Sequence, residues 1–440
     1  MSLFRLIPLS LALSAALTTG VQAQSLSELY QAARGYDATY LSSRLQYDAN
    51  LAKADQARAL LLPQAGLSGS VSRSELNSST PHLSYPYGSQ GLALNASQPL
   101  YRPQNMASYS QGLKGIDLAQ AQLAAAEQDL IVRVSQAYFD ALASKDSLAF
   151  VVAQKAAVSE QLAAAKRNFE VGTATITDQR EAQSSYDLVV AQEIAATNDL
   201  RVKLIALDQL VGKDSTSPKA LLLPVALPGL QPDDVNFWLQ QAQTNHPLVA
   251  QAQIALDIAK LETEKAQAGH KPTVDMVASY STSNNDGGST TGPYSSRGSV
   301  ASVGVQLNLP LFAGFSTQNR VRETLALEDK ARSDLEGARR NVAQATRTAY
   351  FGVVSGVSVV KAYEAAEASS QSALDANKLG YQVGVRINID VLNSQSQLFD
   401  TKAKLAKARY DVLTGGLKLR QANGTLTAED LTPINALLAK

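Results

Sequence analysis

Two stretches of strict apolar/polar alternation stand out in a chain otherwise patterned for helices. After Pro63, the residues Ala65, Leu67, Gly69 and Val71 interleave with Gly66, Ser68, Ser70 and Ser72. After Pro272, Val274, Met276, Ala278 and Tyr280 interleave with Asp275, Val277, Ser279 and Ser281. A period of two is the signature of strands with unlike faces. A segment rich in Ser, Pro, Tyr, Asn and Gly follows each time, over 75–91 and 284–298, and alternation then returns. Leu92, Leu94 and Ala96 alternate with Ala93, Asn95 and Ser97, and Val303, Val305, Leu307 and Leu309 with Ser302, Gly304, Gln306 and Asn308. The pattern predicts two β-hairpins, over about 64–100 and 273–309, with about ten residues per strand, enough for a tilted strand to cross a bilayer.

Elsewhere the pattern is helical. Residues 25–62 open on Ser25-Leu26-Ser27-Glu28, a capping box, and stop before Pro63; residues 245–271 stop before Pro272 in the same way. Residues 102–169 and 315–381 read as helices of nearly 70 residues, roughly 100 Å each at 1.5 Å per residue. Alternation alone is equally compatible with half of a soluble sheet, but helices this long outrun any small sheet and must pack on each other. In the last helix Val391, Leu398, Leu405 and Val412 recur every seven residues, with a second row at Leu392, Phe399, Ala406 and Leu413, which predicts a supercoiled seam. The equivalent row in the first half, Leu188, Ala195 and Val202, is looser. Much of the remaining helical surface is Ala, Ser, Gln and Asn, small and polar enough to face a water path or simply bulk solvent.

The chain is a duplication. RNFEVGTATITDQREAQSSYD, ending at Asp187, shares its layout with KLGYQVGVRINIDVLNSQSQLFD, ending at Asp400. Ala137-Tyr138-Phe139 recurs as Ala349-Tyr350-Phe351 and Val171-Gly172 as Val383-Gly384, both offset by 212 (349 − 137, 383 − 171). Pro99 and Pro310 are 211 apart and Pro63 and Pro272 are 209 apart, so the register drifts by only three residues. Gly172 and Gly384 each close one long helix and precede another, predicting turns at 171–174 and 383–386 at one end of the fold. The expected organisation is a signal peptide over 1–23, a first repeat over 24–212, a linker over 213–244, a second repeat over 245–424 and a tail over 425–440. The linker is set apart by Pro218, Pro224, Pro228 and Pro232.

Composition narrows the function. The opening MSLFRLIPLSLALSAALTTGVQA has one early positive charge, a short apolar run and small residues before Ala23, the layout of a secretory signal rather than an anchor. Among 440 residues there is no cysteine, which excludes disulfides, thiolate metal sites and acylation at a mature N-terminal Cys. The 39 basic and 39 acidic residues balance, giving no support for nucleic-acid binding. The three histidines, His82, His246 and His270, lack metal-ligand spacing, so neither a cofactor nor an enzymatic centre is expected. No later apolar run approaches the ~20 residues of a spanning helix, so any membrane crossing must be made by strands. Two hairpins give four strands, too few to close in lipid, and a homotrimer of twelve is the simplest ring with a water path. A dimer of eight would be filled by its own side chains.

The signal, the duplicated helix-hairpin-helix layout, the exits Pro99-Leu100-Tyr101 and Pro310-Leu311-Phe312, and above all YQVGVRINIDVLNSQSQLFD resemble the TolC family of outer-membrane channel-tunnels over essentially the whole mature chain. That resemblance implies a mainly α-helical fold with a membrane β-barrel. Three chains would share twelve strands, four from each, continued by a helical tunnel in the periplasm. It implies an exit duct for type I secretion or drug efflux, docked to a periplasmic adaptor and an ABC or proton-driven inner-membrane transporter, with outer-membrane lipid around the barrel. It also places a gate on Asp178, Tyr381 and Arg386, with Thr177 adjacent, and a constriction ring on Asp390. The family's second acidic ring falls here on Asn393, which departs from the pattern and bears on any cation block at Asp390. From the residues alone Asp178 is equally a helix cap, since Thr175-Ile176-Thr177-Asp178 is itself a capping box. A structural or adhesive trimeric coiled coil is the alternative function, and a periplasmic enzyme or adaptor a third; membrane-length hairpins oppose the former, and the absence of catalytic spacing or a lipoyl-like module the latter.

Overall fold

The computed structural model describes residues 23–80, 82–222, 224, 227 and 229–439, so the signal segment up to residue 22 lies outside the described residues. In chain order the helices are α1 (Leu26–Tyr36), α2 (Ala38–Ala59), α3 (Pro103–Glu170), α4 (Ile176–Val211), α5 (Val235–Asn245), α6 (Pro247–Gln267), α7 (Ser316–Gln382), α8 (Asn388–Ala422) and α9 (Leu431–Asn435). The strands are β1 (Gln64–Ser79) and β2 (His82–Tyr101), between α2 and α3, and β3 (Thr273–Asp286) and β4 (Ser296–Asn308), between α6 and α7. The chain divides into two compact units, one of residues 23–43, 124–247 and 339–439, the other Arg44–Leu123 with Leu248–Ala338.

The second unit holds the sheet. All four strands pair antiparallel in the order β1-β2-β3-β4, so the two hairpins merge into one sheet through β2 and β3. The register sorts the faces: Leu67, Leu94, Tyr280 and Ala301 align across the strands, as do Ala65, Ala96, Ala278 and Val303. One residue along, Gly66, Asn95, Ser279 and Ser302 form a row on the opposite face, where the Ser279 and Ser302 hydroxyls lie 2.8 Å apart. One face is therefore apolar and the other small and polar, and side chains of the apolar face such as Leu67, Val303 and Val305 are exposed in the single chain. The strands run 13 to 20 residues rather than about ten. Pairing continues through the Ser/Tyr/Asn segment read as a loop, with Leu76 opposite Tyr85 and Asn77 opposite Ser84, because the backbone ladder needs no apolar side chain to extend. At the sheet's base the Arg102 guanidinium donates two 2.7 Å hydrogen bonds to Asp275, tying the exit of β2 to β3.

The other unit is helical. The expected box forms, with the Ser25 amide donating to Glu28 at 2.9 Å and the Glu28 amide to Ser25 Oγ at 3.3 Å. The single helix expected over 25–62 breaks at Asp37, whose carboxylate accepts from the Tyr40 amide at 2.8 Å and so caps α2. Asp37 also receives both ends of the Arg133 guanidinium, at 2.9 and 3.0 Å, while Arg133 Nε donates to Asp129 at 2.6 Å. The repeated Tyr-Phe pairs anchor the linker. Tyr138 Oη donates to the Lys219 carbonyl at 2.9 Å, and Tyr350 Oη donates to Asp233 at 2.6 Å.

The sevenfold seam is present on α8: Val391 and Leu398 bury against Leu374 of α7, and Leu405 and Val412 against Val360, so α7 and α8 run antiparallel. Leu392, from the second row, turns instead to Val158, Leu162, Ala182 and Val189 of α3 and α4. The first-half row differs. Leu188 and Val202 are 60% and 52% exposed and Ala195 is also exposed, and the buried position has moved one residue on, to Val189. Among the described residues the linker carries no helix before α5, and the tail adds the short α9, whose Leu431 is buried.

Candidate functional site

The two inter-helix turns are built alike, residue for residue at the 212 offset. In the first, Gly172 (φ 76°) follows α3, and the Asn168 carbonyl accepts the amides of Thr173 and Ala174 at 2.8 and 3.2 Å. In the second, Gly384 (φ 80°) follows α7, and the Gly380 carbonyl accepts the amides of Val385 and Arg386 at 2.9 and 3.1 Å. Each positive φ requires glycine, since any side chain there is strained even in open space. Val171, Val383 and Val385 stand exposed on the two turns.

The turns diverge where the next helix begins. Thr175 caps α4: the Asp178 amide donates to Thr175 Oγ1 at 3.2 Å, and Asp178 Oδ2 accepts from the Thr175 amide at 2.9 Å and hydroxyl at 2.8 Å. The counterpart of Thr175 is Ile387, which has no hydroxyl, so α8 starts without a side-chain cap. The counterpart of Asp178 is Asp390 (390 − 178 is again 212), and without a capping partner its carboxylate faces Arg386 at 3.7 Å. Two equivalent carboxylates thus differ in availability because of one residue three positions earlier.

Tyr381 packs at the edge of the Leu374, Val391 and Leu398 cluster, and its hydroxyl accepts from Asn168 Nδ2 at 3.4 Å. The Arg386 stem lies over Gly380, where a Cβ would come within 2.6 Å of Arg386 Cγ, and its guanidinium is exposed. Thr177 and Asn393 are exposed, Asn393 one turn beyond Asp390 on α8. Among the described residues no hydrogen bond or ion pair joins Asp178 to Tyr381 or Arg386 within one chain: Asp178 engages Thr175, Tyr381 engages Asn168 and Arg386 engages Asp390.

Contacts that the pattern of residues did not single out connect the turns instead. Asn388, the first residue of α8 and fully buried, accepts through Oδ1 from Gln161 Nε2 of α3 and donates through Nδ2 to the Asp178 carbonyl of α4 at 3.4 Å. On α8 itself, Ser394 Oγ donates to the Asp390 carbonyl at 2.7 Å and accepts from Asn377 of α7. The one available signal was a polar residue between Ile387 and Ile389 at the position where the first repeat has Ile176. Among the described residues no three His, Asp or Glu side chains converge to hold a metal, and no helix is long and apolar enough to cross a membrane.

Comparison with known proteins gives a consistent result. The model of the family described as outer membrane efflux protein matches twice, over residues 29–213 and 238–425, once per repeat. The chain is 32% identical to the outer membrane protein TolC of Vibrio cholerae serotype O1, over 96% of this chain and 95% of that one. It is 31% identical to the alkaline protease secretion protein AprF of Pseudomonas aeruginosa, over 80% and 73% respectively. In fold it is similar to the solved outer membrane protein VceC of Vibrio cholerae, with a TM-score of 0.77 at 19% identity, covering 91% of this chain and 96% of that one. The chain belongs to the outer membrane efflux protein family, and it serves as an exit duct in the outer membrane, not as an enzyme.

Proposed function

We propose that three copies of this chain share one twelve-stranded barrel, with helices lining a water-filled path through the periplasm that is gated at the inter-helix turns. The observation that carries this reading is the four-stranded sheet with one apolar face, one small polar face and two unpaired edges, β1 and β4. In lipid an unpaired edge leaves backbone N–H and C=O groups without partners, so a neighbouring copy must cover each one. The exposed row Leu188, Ala195 and Val202 on α4 supports the same association, since apolar residues seven apart suit a helix of another copy.

At the turns, the exposed Arg386 guanidinium and the half-buried Asp178 and Tyr381 suit a network that closes the path when copies meet. Charge-assisted hydrogen bonds contribute roughly 1.5–3 kcal/mol each, so three symmetric copies hold about 5–9 kcal/mol before solvent screening and a few kcal/mol after it. That keeps a gate mostly shut and lets a docked partner open it. A periplasmic adaptor is the fitting partner, with the exposed Val171, Val383 and Val385 as its first contacts and an ABC or proton-driven transporter of the inner membrane behind it. Similarity to a protein named for protease secretion and to a family named for efflux supports both kinds of cargo.

Single-channel recording in planar bilayers tests the gate. Arg386→Ser and Asp178→Ala should each conduct several-fold better than the parent, and conductance equal to the parent's would sink the assignment. In the same recordings divalent cations should block from the periplasmic side through Asp390, weakly because Asn393 supplies no second acidic ring, and Asp390→Ala should abolish the block.

A further inference from the structure

We infer that Asn388 is a neutral latch that holds the start of α8 against α3 and α4 and thereby positions the gate; the inference rests on the gate reading above. Asn388 has no exposed surface, and its side chain does not cap its own helix. It spans two others instead, accepting from Gln161 of α3 and donating to the backbone carbonyl of Asp178 on α4. A buried amide is tolerated only when its polar atoms are satisfied, so releasing α8 from α3 and α4 strands donors and acceptors on all three helices. The first repeat has no such device: the equivalent Ile176 is exposed on its turn.

The placement gives the latch its role. The carbonyl it grips belongs to Asp178, and two residues along α8 from Asn388 lies Asp390, the partner of Arg386. Moving α8 away from α4 therefore separates the residues of the gate, and it carries the added cost of breaking both Asn388 contacts. The neighbouring links, Asn168 to Tyr381 and Asn377 to Ser394, are uncharged too. Salt screens charge pairs at exposed positions and leaves buried amide contacts almost untouched. The closed state then has two separable components, one salt-sensitive at Arg386 and one salt-insensitive at Asn388.

The test uses the mature full chain reconstituted in planar bilayers at low and high salt, with the parent, Arg386→Ser, Asn388→Leu, Gln161→Leu and the Asn388→Leu/Gln161→Leu double variant. Leucine keeps the volume at Asn388 and removes both contacts. Asn388→Leu should raise the open fraction by about tenfold, the scale of losing satisfied buried hydrogen bonds, and the rise should persist at high salt. Gln161→Leu, at a half-buried site, should produce a rise of the same kind, and the double variant should open no further than Asn388→Leu alone. Gln161→Leu alone decides the matter if Asn388→Leu fails to assemble. Both latch variants closed like the parent while Arg386→Ser opens would overturn the latch and leave the gate standing. Latch variants that open while Arg386→Ser stays closed would overturn the Arg386 gate and leave the latch. A double variant whose effects simply multiply would show that the two amides act independently and overturn the latch as drawn.

Discussion

At the scale of single residues, the two turns differ most where the repeats stop matching, and the proposed gate draws on those positions. Thr175 and Ile387, Phe169 and Tyr381, Ala174 and Arg386, and Ile176 and Asn388 are equivalent positions, and at each the second repeat has the residue that changes the turn's chemistry. The capping box at Thr175 and Asp178 was legible from spacing alone, because its partners are three residues apart. Asn388 was not, because Gln161 and Asp178 lie 227 and 210 positions away and only the packed fold brings them together. A second residue-scale consequence concerns acid. The fork of Arg133 on Asp37, with the Tyr40 amide, holds the Asp37 carboxyl below the usual carboxylate range. A carboxyl whose pKa is depressed by folding stabilises the protein above its unfolded pKa, and that contribution is lost as pH falls through the folded value. Melting temperature should therefore drop as pH falls below about 4. Asp37→Asn should lower stability by roughly 1.5–3 kcal/mol at neutral pH and flatten the acid limb; an unchanged limb would assign the acid sensitivity elsewhere.

At the scale of elements, periodicity carried most of the information. The residue limits of α3 and α7 fall within one residue of those read from the pattern, and the sevenfold seam of α8 is buried as expected. Two readings shifted for identifiable reasons. The strands outlast their apolar alternation, because hydrogen bonding in a hairpin continues wherever two backbones are already aligned. The row Leu188, Ala195 and Val202 has the spacing of a seam, yet within one chain α4 buries Val189 beside it. Periodicity shows that a face wants covering and cannot say which chain covers it. If a second copy does so, Leu188→Glu with Val202→Glu should shift the assembled protein toward monomers in mild detergent by size-exclusion chromatography with light scattering, with the helical circular dichroism of each chain retained. A variant that stays fully assembled would mean that this row meets solvent or another protein.

For the whole molecule, the number of strands is the deciding quantity. Duplication, the four strands and the long helices were all readable from one chain, whereas the number of chains enters only through the requirement that a sheet in lipid have no free edge. The lack of any native cysteine makes this directly testable. Ser70→Cys on β1, combined in turn with Gly298→Cys, Val300→Cys or Ser302→Cys on β4, should give covalent dimers and trimers on oxidation for at least one combination. Monomers alone from every combination would exclude pairing of these edges. The ladder between β2 and β3 has a further effect on biogenesis. It joins Leu94 to Tyr280, 186 positions later (280 − 94), so a nascent polypeptide halted before residue 273 has one hairpin with nothing on its inner side. Such a chain lacks the strand that covers the second edge of β2, and in lipid that edge would keep its backbone N–H and C=O groups without partners, so the first hairpin becomes fit for a bilayer only once the second has been made.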